Sequence, residues 1–162
     1  MKNEVLEILL WRRMLDADLS QRYFTQLARD YRAQDTFFKI IIALFSSASV
    51  ASWNIWKTPG YEWIWQTFIG MTTVVAILSP LLKCADKYQK SFNISVEMID
   101  LLSRYETLWA KKDSLTEDDV NQEMQILNKI SLRISSSAFD LNVTKRRRIR
   151  SIQQQVKKSR GL

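Results

Sequence analysis

Two long runs of this chain carry no charged side chain, Ile40 to Trp56 and Trp63 to Leu82, although a quarter of all residues are Asp, Glu, Lys or Arg. An α-helix rises about 1.5 Å per residue, so Phe37 to Trp56 and Trp63 to Leu82 would each extend about 30 Å, the thickness of a bilayer core. Between them Lys57 to Glu62 contains the Pro59-Gly60 turn signal, which predicts a tight antiparallel pair. The expected fold is all-α: a two-helix transmembrane hairpin over 37–82 (37–56 and 63–82), with an amphipathic N-terminal helix and a cytoplasmic C-terminal helical bundle. A hairpin buried in a soluble helical protein is the alternative, but little amphipathic helix remains to wrap two apolar ones.

Aromatic rings settle at the headgroup boundary, and Trp53, Trp56, Tyr61, Trp63 and Trp65 cluster at the turn, where they would anchor the hairpin. Residues 1–36 carry six Lys and Arg and residues 83–162 carry sixteen, while the connecting loop has only Lys57. Both termini are therefore expected to be cytoplasmic, in a bacterial inner membrane. Lys39 would snorkel to the inner headgroups, with Lys83, Lys87 and Lys90 marking the inner end of the second span. No cleavable signal is visible before the first apolar run, so the hairpin itself is expected to direct insertion.

The chain has no His, one Cys (Cys84), three Gly and two Pro. That excludes His-dependent catalysis, a disulfide framework, a structural zinc site and a Gly-rich phosphate loop. A Lys39–Ser46 pair is separated by two helical turns, about 10 Å, too far for a direct bond. No catalytic residue, metal or cofactor is expected, and Cys84 reads as a small hydrophobe.

Residues 1–36 form the expected N-terminal amphipathic helix, with Val5, Leu6, Leu9, Leu10, Leu15, Leu19, Tyr23, Leu27 and Tyr31 at helical spacing. Six basic and six acidic residues give it no special attraction to anionic lipid, which favours packing on the C-terminal helices over lying on the membrane. In the cytoplasmic region 83–144, Tyr88, Phe92, Ile99, Leu102 and Leu108 or Trp109 approach heptad spacing and imply a partner helix. Thr116 is a helix cap followed by acidic residues, and Val120, Met124, Leu127, Ile130 and Ile134 form the apolar face of the helix it opens. The tail 145–162 has eight basic residues and no acidic one.

Four features bear on function. Ala43, Ser47 and Ala51 make a small-residue stripe that could mate with Thr72, Ala76 and Pro80, with Gly70 and Thr73 on the adjoining face. Ser46, Ser49 and Ser52 lie around the other side and, with Asn54, could line a water-filled lumen in a ring of hairpins. They could equally pack on a neighbouring helix or bond their own backbone. Pro80 is a hinge or a static kink. Lys145, Arg146, Arg147, Arg148 and Arg150 could meet lipid or nucleotide phosphate, or stay solvated.

An N-terminal helix ending Ala28-Arg-Asp-Tyr31, a Ser/Ala-rich first span, a Trp-flanked turn, a second span ending Ile77-Leu-Ser-Pro-Leu-Leu and a following Ala85-Asp-Lys-Tyr88 together resemble the SLATT-type two-transmembrane effectors of prokaryotic conflict systems. The layout is also similar in logic to membrane effectors of type III CRISPR systems and to holins. The resemblance implies a homo-oligomer that forms a pore or disrupts the inner membrane in antiphage defence (abortive infection). Its implied partners are membrane lipid and an upstream defence sensor protein or nucleotide second messenger. A non-conducting membrane scaffold docking a partner through its cytoplasmic helices, and a cyclic-nucleotide-responsive receptor, are the alternative functions.

Overall fold

Straight-chain and apolar residues dominate the sequence between its few Gly and Pro, a composition that favours long helices. A computed structural model describes residues 4–51, 62–141 and 146–161, and among them the regular structure is entirely helical. The order is α1 (Glu4–Ala51), α2 (Glu62–Leu82), α3 (Cys84–Lys111), α4 (Glu117–Ser137), a single 3₁₀ turn (Phe139–Leu141) and α5 (Arg146–Arg160). The amphipathic N-terminal stretch thus runs without interruption into the expected first span. Two compact units divide the chain, one of Met1–Ala28 with Gln89–Leu162 and one of Arg29–Tyr88.

The first unit is a bundle with an apolar interior. The first part of α1 contributes Leu10, Met14, Ala17, Leu27 and Ala28 to this core, and α3 contributes Ile94, Met98, Leu101, Tyr105 and Leu108. Ser91 and Ser95 are buried on that same face of α3, and their small side chains let α1 approach. Thr25 Oγ1 and Ser95 Oγ share a hydrogen bond of 2.7 Å between the two helices. At the far end Trp11 packs on Trp109, with ring centroids 5.3 Å apart. Lys112 lies 4.0 Å over the Trp109 ring and pairs with Glu7 at 2.9 Å.

The N-terminal helix therefore packs on the C-terminal helices, but the expected seam of α3 is displaced. Phe92 and Ile99 are half-exposed, and the buried face runs through Ser91, Ser95 and Met98 instead. The α1 stripe shifts in a similar way: Leu10 is buried while Val5 and Leu9 face outward. In α4 the expected face holds, since Val120, Met124, Leu127 and Ile134 are buried. Thr116 starts that helix by accepting from the Asp119 N–H while the Asp119 carboxylate accepts from the Thr116 N–H, both at 3.3 Å. Acidic Glu117, Asp118 and Asp119 then complement the helix dipole.

The tail also differs from its expectation. Arg146–Arg160 is a helix whose Ile152 and Val156 are buried in the first unit. These two buried residues lie four apart, on one face, so Arg146–Arg160 is a docked amphipathic helix rather than a solvated extension.

In the second unit, Gln34 accepts a hydrogen bond from buried Cys84 Sγ at 3.9 Å, and Lys87 lies 6.0 Å from the Tyr31 ring centroid. These contacts tie α1 to the start of α3. Thr72, Val75 and Ser79 are the partly covered residues in the middle of α2. Pro80 sits inside α2 and does not end it. The break comes at Lys83, with φ of 47°, after which the Lys87 N–H returns to the Lys83 carbonyl at 3.0 Å.

Candidate functional site

In the second unit many large apolar side chains find no core. Phe37, Ile40 and Leu44 on α1, and Trp63, Met71, Val74, Ile77, Leu78, Leu81 and Leu82 on α2, are all exposed. On α2 these residues fall within one arc of about 140° at 100° per residue, a broad apolar stripe turned away from the partly covered side. Lys39, the one charge in the first expected span, pairs with Asp35 at 2.6 Å.

Of the expected small-residue positions of α2, Thr72 is partly covered. Gly70, Thr73 and Ala76 are exposed, and a Cβ built at Gly70 would meet nothing within 4 Å. The partly covered side of α2 carries Thr72 together with Val75 and Ser79. Ala43 is exposed on α1, and Ser46, Ser47, Ser49 and Ala51 are helical in backbone, with side chains outside the described set. Ser52, Trp53, Asn54, Trp56 and Tyr61 lie outside the described residues, as does the side chain of Trp65. Trp63 is two-thirds exposed.

Among the described residues, no helix is long and apolar enough to cross a membrane.

In the first unit the charged residues gather around one buried carboxylate. Asp18 is 2% exposed and accepts from Arg22 Nε at 2.6 Å and from Arg160 Nε at 3.2 Å. Arg160 reaches further, donating to Glu106 at 2.6 Å. Its pKa is raised by the Glu106 hydrogen bond first and by Asp18 as well, against desolvation. One guanidinium thus joins α5 to both α1 and α3, and Arg22 Nη2 adds a bond to Ser159 at 3.0 Å.

Of the expected phosphate residues, the side chains of Arg148 and Arg150 are described. Arg148 is half-buried, 6.0 Å from the Tyr23 ring centroid, while Arg150 is exposed. Lys145 and the side chains of Arg146 and Arg147 lie outside the described residues. A small pocket of about 50 Å³ is lined by Arg13, Asp16, Tyr105 and Ser131. Burial raises the Tyr105 pKa, with Arg13 opposing and Asp16 adding, and the phenol donates to Asn128 Oδ1 at 3.2 Å.

Asp18, Glu106 and Arg160 carry no local signal in the sequence, because the pair that fastens α5 is 142 residues apart. Ile149, Ile152 and Val156, spaced three and four apart, were the available sign that the basic run is amphipathic. Comparison with protein-family models, curated proteins and solved structures gives no match.

Proposed function

We propose that this chain is a membrane effector: Phe37–Trp56 and Trp63–Leu82 form a transmembrane hairpin, and copies of it assemble to breach a bacterial inner membrane in antiphage defence. The observation that carries this reading is the set of exposed large apolar side chains on both helices of the second unit, a density that soluble monomers avoid. The ion pair between Lys39 and Asp35 supports it, because pairing lowers the cost of bringing either charge toward lipid. Both termini lie on the cytoplasmic side, where the first unit receives a signal from an upstream sensor protein or a nucleotide second messenger. The hydroxyls of Ser46, Ser49 and Ser52 and the amide of Asn54 face the lumen of the assembled ring.

Membrane potential in infected bacterial cells expressing the chain tests it. The wild type collapses the potential during infection, and the Ser46→Leu/Ser49→Leu/Ser52→Leu variant preserves it while staying in the membrane fraction. A potential that persists in cells making the wild type throughout infection refutes the pore.

The second reading, a non-conducting scaffold, is favoured by one observation. Phe92, Val96 and Ile99 form a half-exposed stripe on α3 at i, i+4 and i+7, the spacing by which a helix docks a partner. In that case Phe92→Asp/Ile99→Asp abolishes capture of the partner, and the serine substitutions change nothing.

A further inference from the structure

Charge along α1 changes abruptly between residues 29 and 40. Arg29 and Arg32 are exposed, and among the described residues neither guanidinium has an ion-pair or hydrogen-bond partner. One helical turn further on, Asp35 and Lys39 neutralise each other. Beyond them Phe37 and Ile40 are exposed and apolar. Arg29, Arg32, Ala33, Thr36, Phe37 and Ile40 line one shallow groove that is open to solvent. Their spacing of three and four residues keeps the lining on one face of the helix.

We infer that this groove on α1 holds an anionic phospholipid, with Arg29 and Arg32 on the phosphodiester and Phe37 and Ile40 against the upper acyl chain. The inference rests on the membrane reading above and names the lipid that reading leaves open. Dimensions support it. From Arg32 to Phe37 the helix rises about 7.5 Å, and a headgroup layer is about 5–8 Å thick, so a hydrocarbon boundary at Phe37 puts Arg32 at the phosphates. Chemistry supports it as well. A guanidinium offers two parallel N–H donors to two phosphate oxygens. Two cations without a protein carboxylate complement a lipid of net negative charge rather than a zwitterionic one, whose choline would meet two like charges.

The test uses the full chain reconstituted in nanodiscs of equal phosphatidylglycerol and phosphatidylcholine, with retained lipid read by native mass spectrometry after release from the disc. Wild type retains phosphatidylglycerol preferentially. Arg29→Gln/Arg32→Gln lowers that preference by about thirtyfold, the loss of two cations at an anionic surface, with unchanged helicity because both side chains are exposed. Arg29→Lys/Arg32→Lys keeps the charge and recovers part of it. Lys157→Gln/Lys158→Gln, which removes two exposed cations of α5, leaves the preference intact. An unchanged preference in the Arg29/Arg32 variant, or a preference lost only in the Lys157/Lys158 variant, overturns the site. Alkaline carbonate extraction of cell membranes separates this failure from that of the membrane reading: if wild type is released to the supernatant, the hairpin and the site fall together, whereas if it stays and the lipid preference does not move, only the site falls.

Discussion

Replacing Ile152 by Ala should undock α5 while the rest of the first unit stays folded. Ile152 is 0% exposed and Val156 is 5% exposed; no other residue of α5 is buried to this degree among those described. The substitution removes three carbons. At about 0.8 kcal/mol per buried methylene this is about 2.4 kcal/mol, and the cavity left behind raises it to about 3 kcal/mol. Because α5 is the last helix and is fastened at its far end by Arg160 to Asp18 and Glu106, the loss falls on a local opening rather than on global unfolding. Amide hydrogen exchange of peptides covering 146–160 reads that opening directly. Protection there should fall by about a hundredfold, at 1.4 kcal/mol for each factor of ten, with α3 and α4 little changed. Leu132→Ala, at an exposed position of α4, is the control and should change nothing. If α5 keeps its protection while the whole unit loses stability, α5 is not a separable element and the reasoning fails.

Three further outcomes follow from the first unit. Thr116→Ala removes the cap of α4 and its reciprocal bond with Asp119, and should lower stability by about 1 kcal/mol in urea unfolding. Ser91 is fully buried and its hydroxyl has no hydrogen-bond partner among the described residues, so Ser91→Ala should stabilise by about 1 kcal/mol in the same assay; a loss of that size would mean that the hydroxyl is bonded. Burial raises the Tyr105 pKa above its ordinary 10.0, so above that pH the unfolded chain releases a proton that the folded chain keeps. Stability should therefore fall as pH rises from 10.0 toward the folded value, and Tyr105→Phe should remove that part of the pH dependence in unfolding curves taken across it.

The helical class was legible because the two charge-free runs and the Thr116 box are local signals. The α4 face was legible for the same reason, as Val120, Met124, Leu127 and Ile134 are apolar and evenly spaced. On α3 the register was misread, since hydropathy points to Phe92 and Ile99 while the buried face includes Ser91 and Ser95. Small polar residues carry that seam, and what they provide is close approach to α1, a property that no hydrophobic pattern reports. The tail was misread because seven Lys and Arg in α5 overwhelm two buried apolar residues in any average. Only the partner helices show that the pair is enough, through a carboxylate at Asp18 that lies far away in sequence. The small-residue stripe was legible as composition, whereas which side of α2 is covered depends on helix rotation, and in the structure Thr72 is partly covered while Gly70 and Ala76 face outward.

The junction after α2 shows what such a helix boundary requires. Pro80 lacks the N–H that would bond to Ala76 and its ring crowds that carbonyl, yet the helix runs on for two residues before turning at Lys83. A non-glycine residue held near φ of 47° bears about 1–2 kcal/mol of strain. Gly relieves that strain but makes the unfolded chain more disordered, an opposing effect of about 0.5–1 kcal/mol. Lys83→Gly should therefore be neutral or slightly stabilising, whereas β-branched Lys83→Val, which tolerates this conformation far less well, should destabilise the second unit by about 2 kcal/mol or more. Thermal unfolding in detergent compares the two. Equal midpoints for Gly and Val would mean that residue 83 is not left-handed, and that α2 and α3 are one continuous helix, in which case no break separates the apolar segment from the helix that follows it.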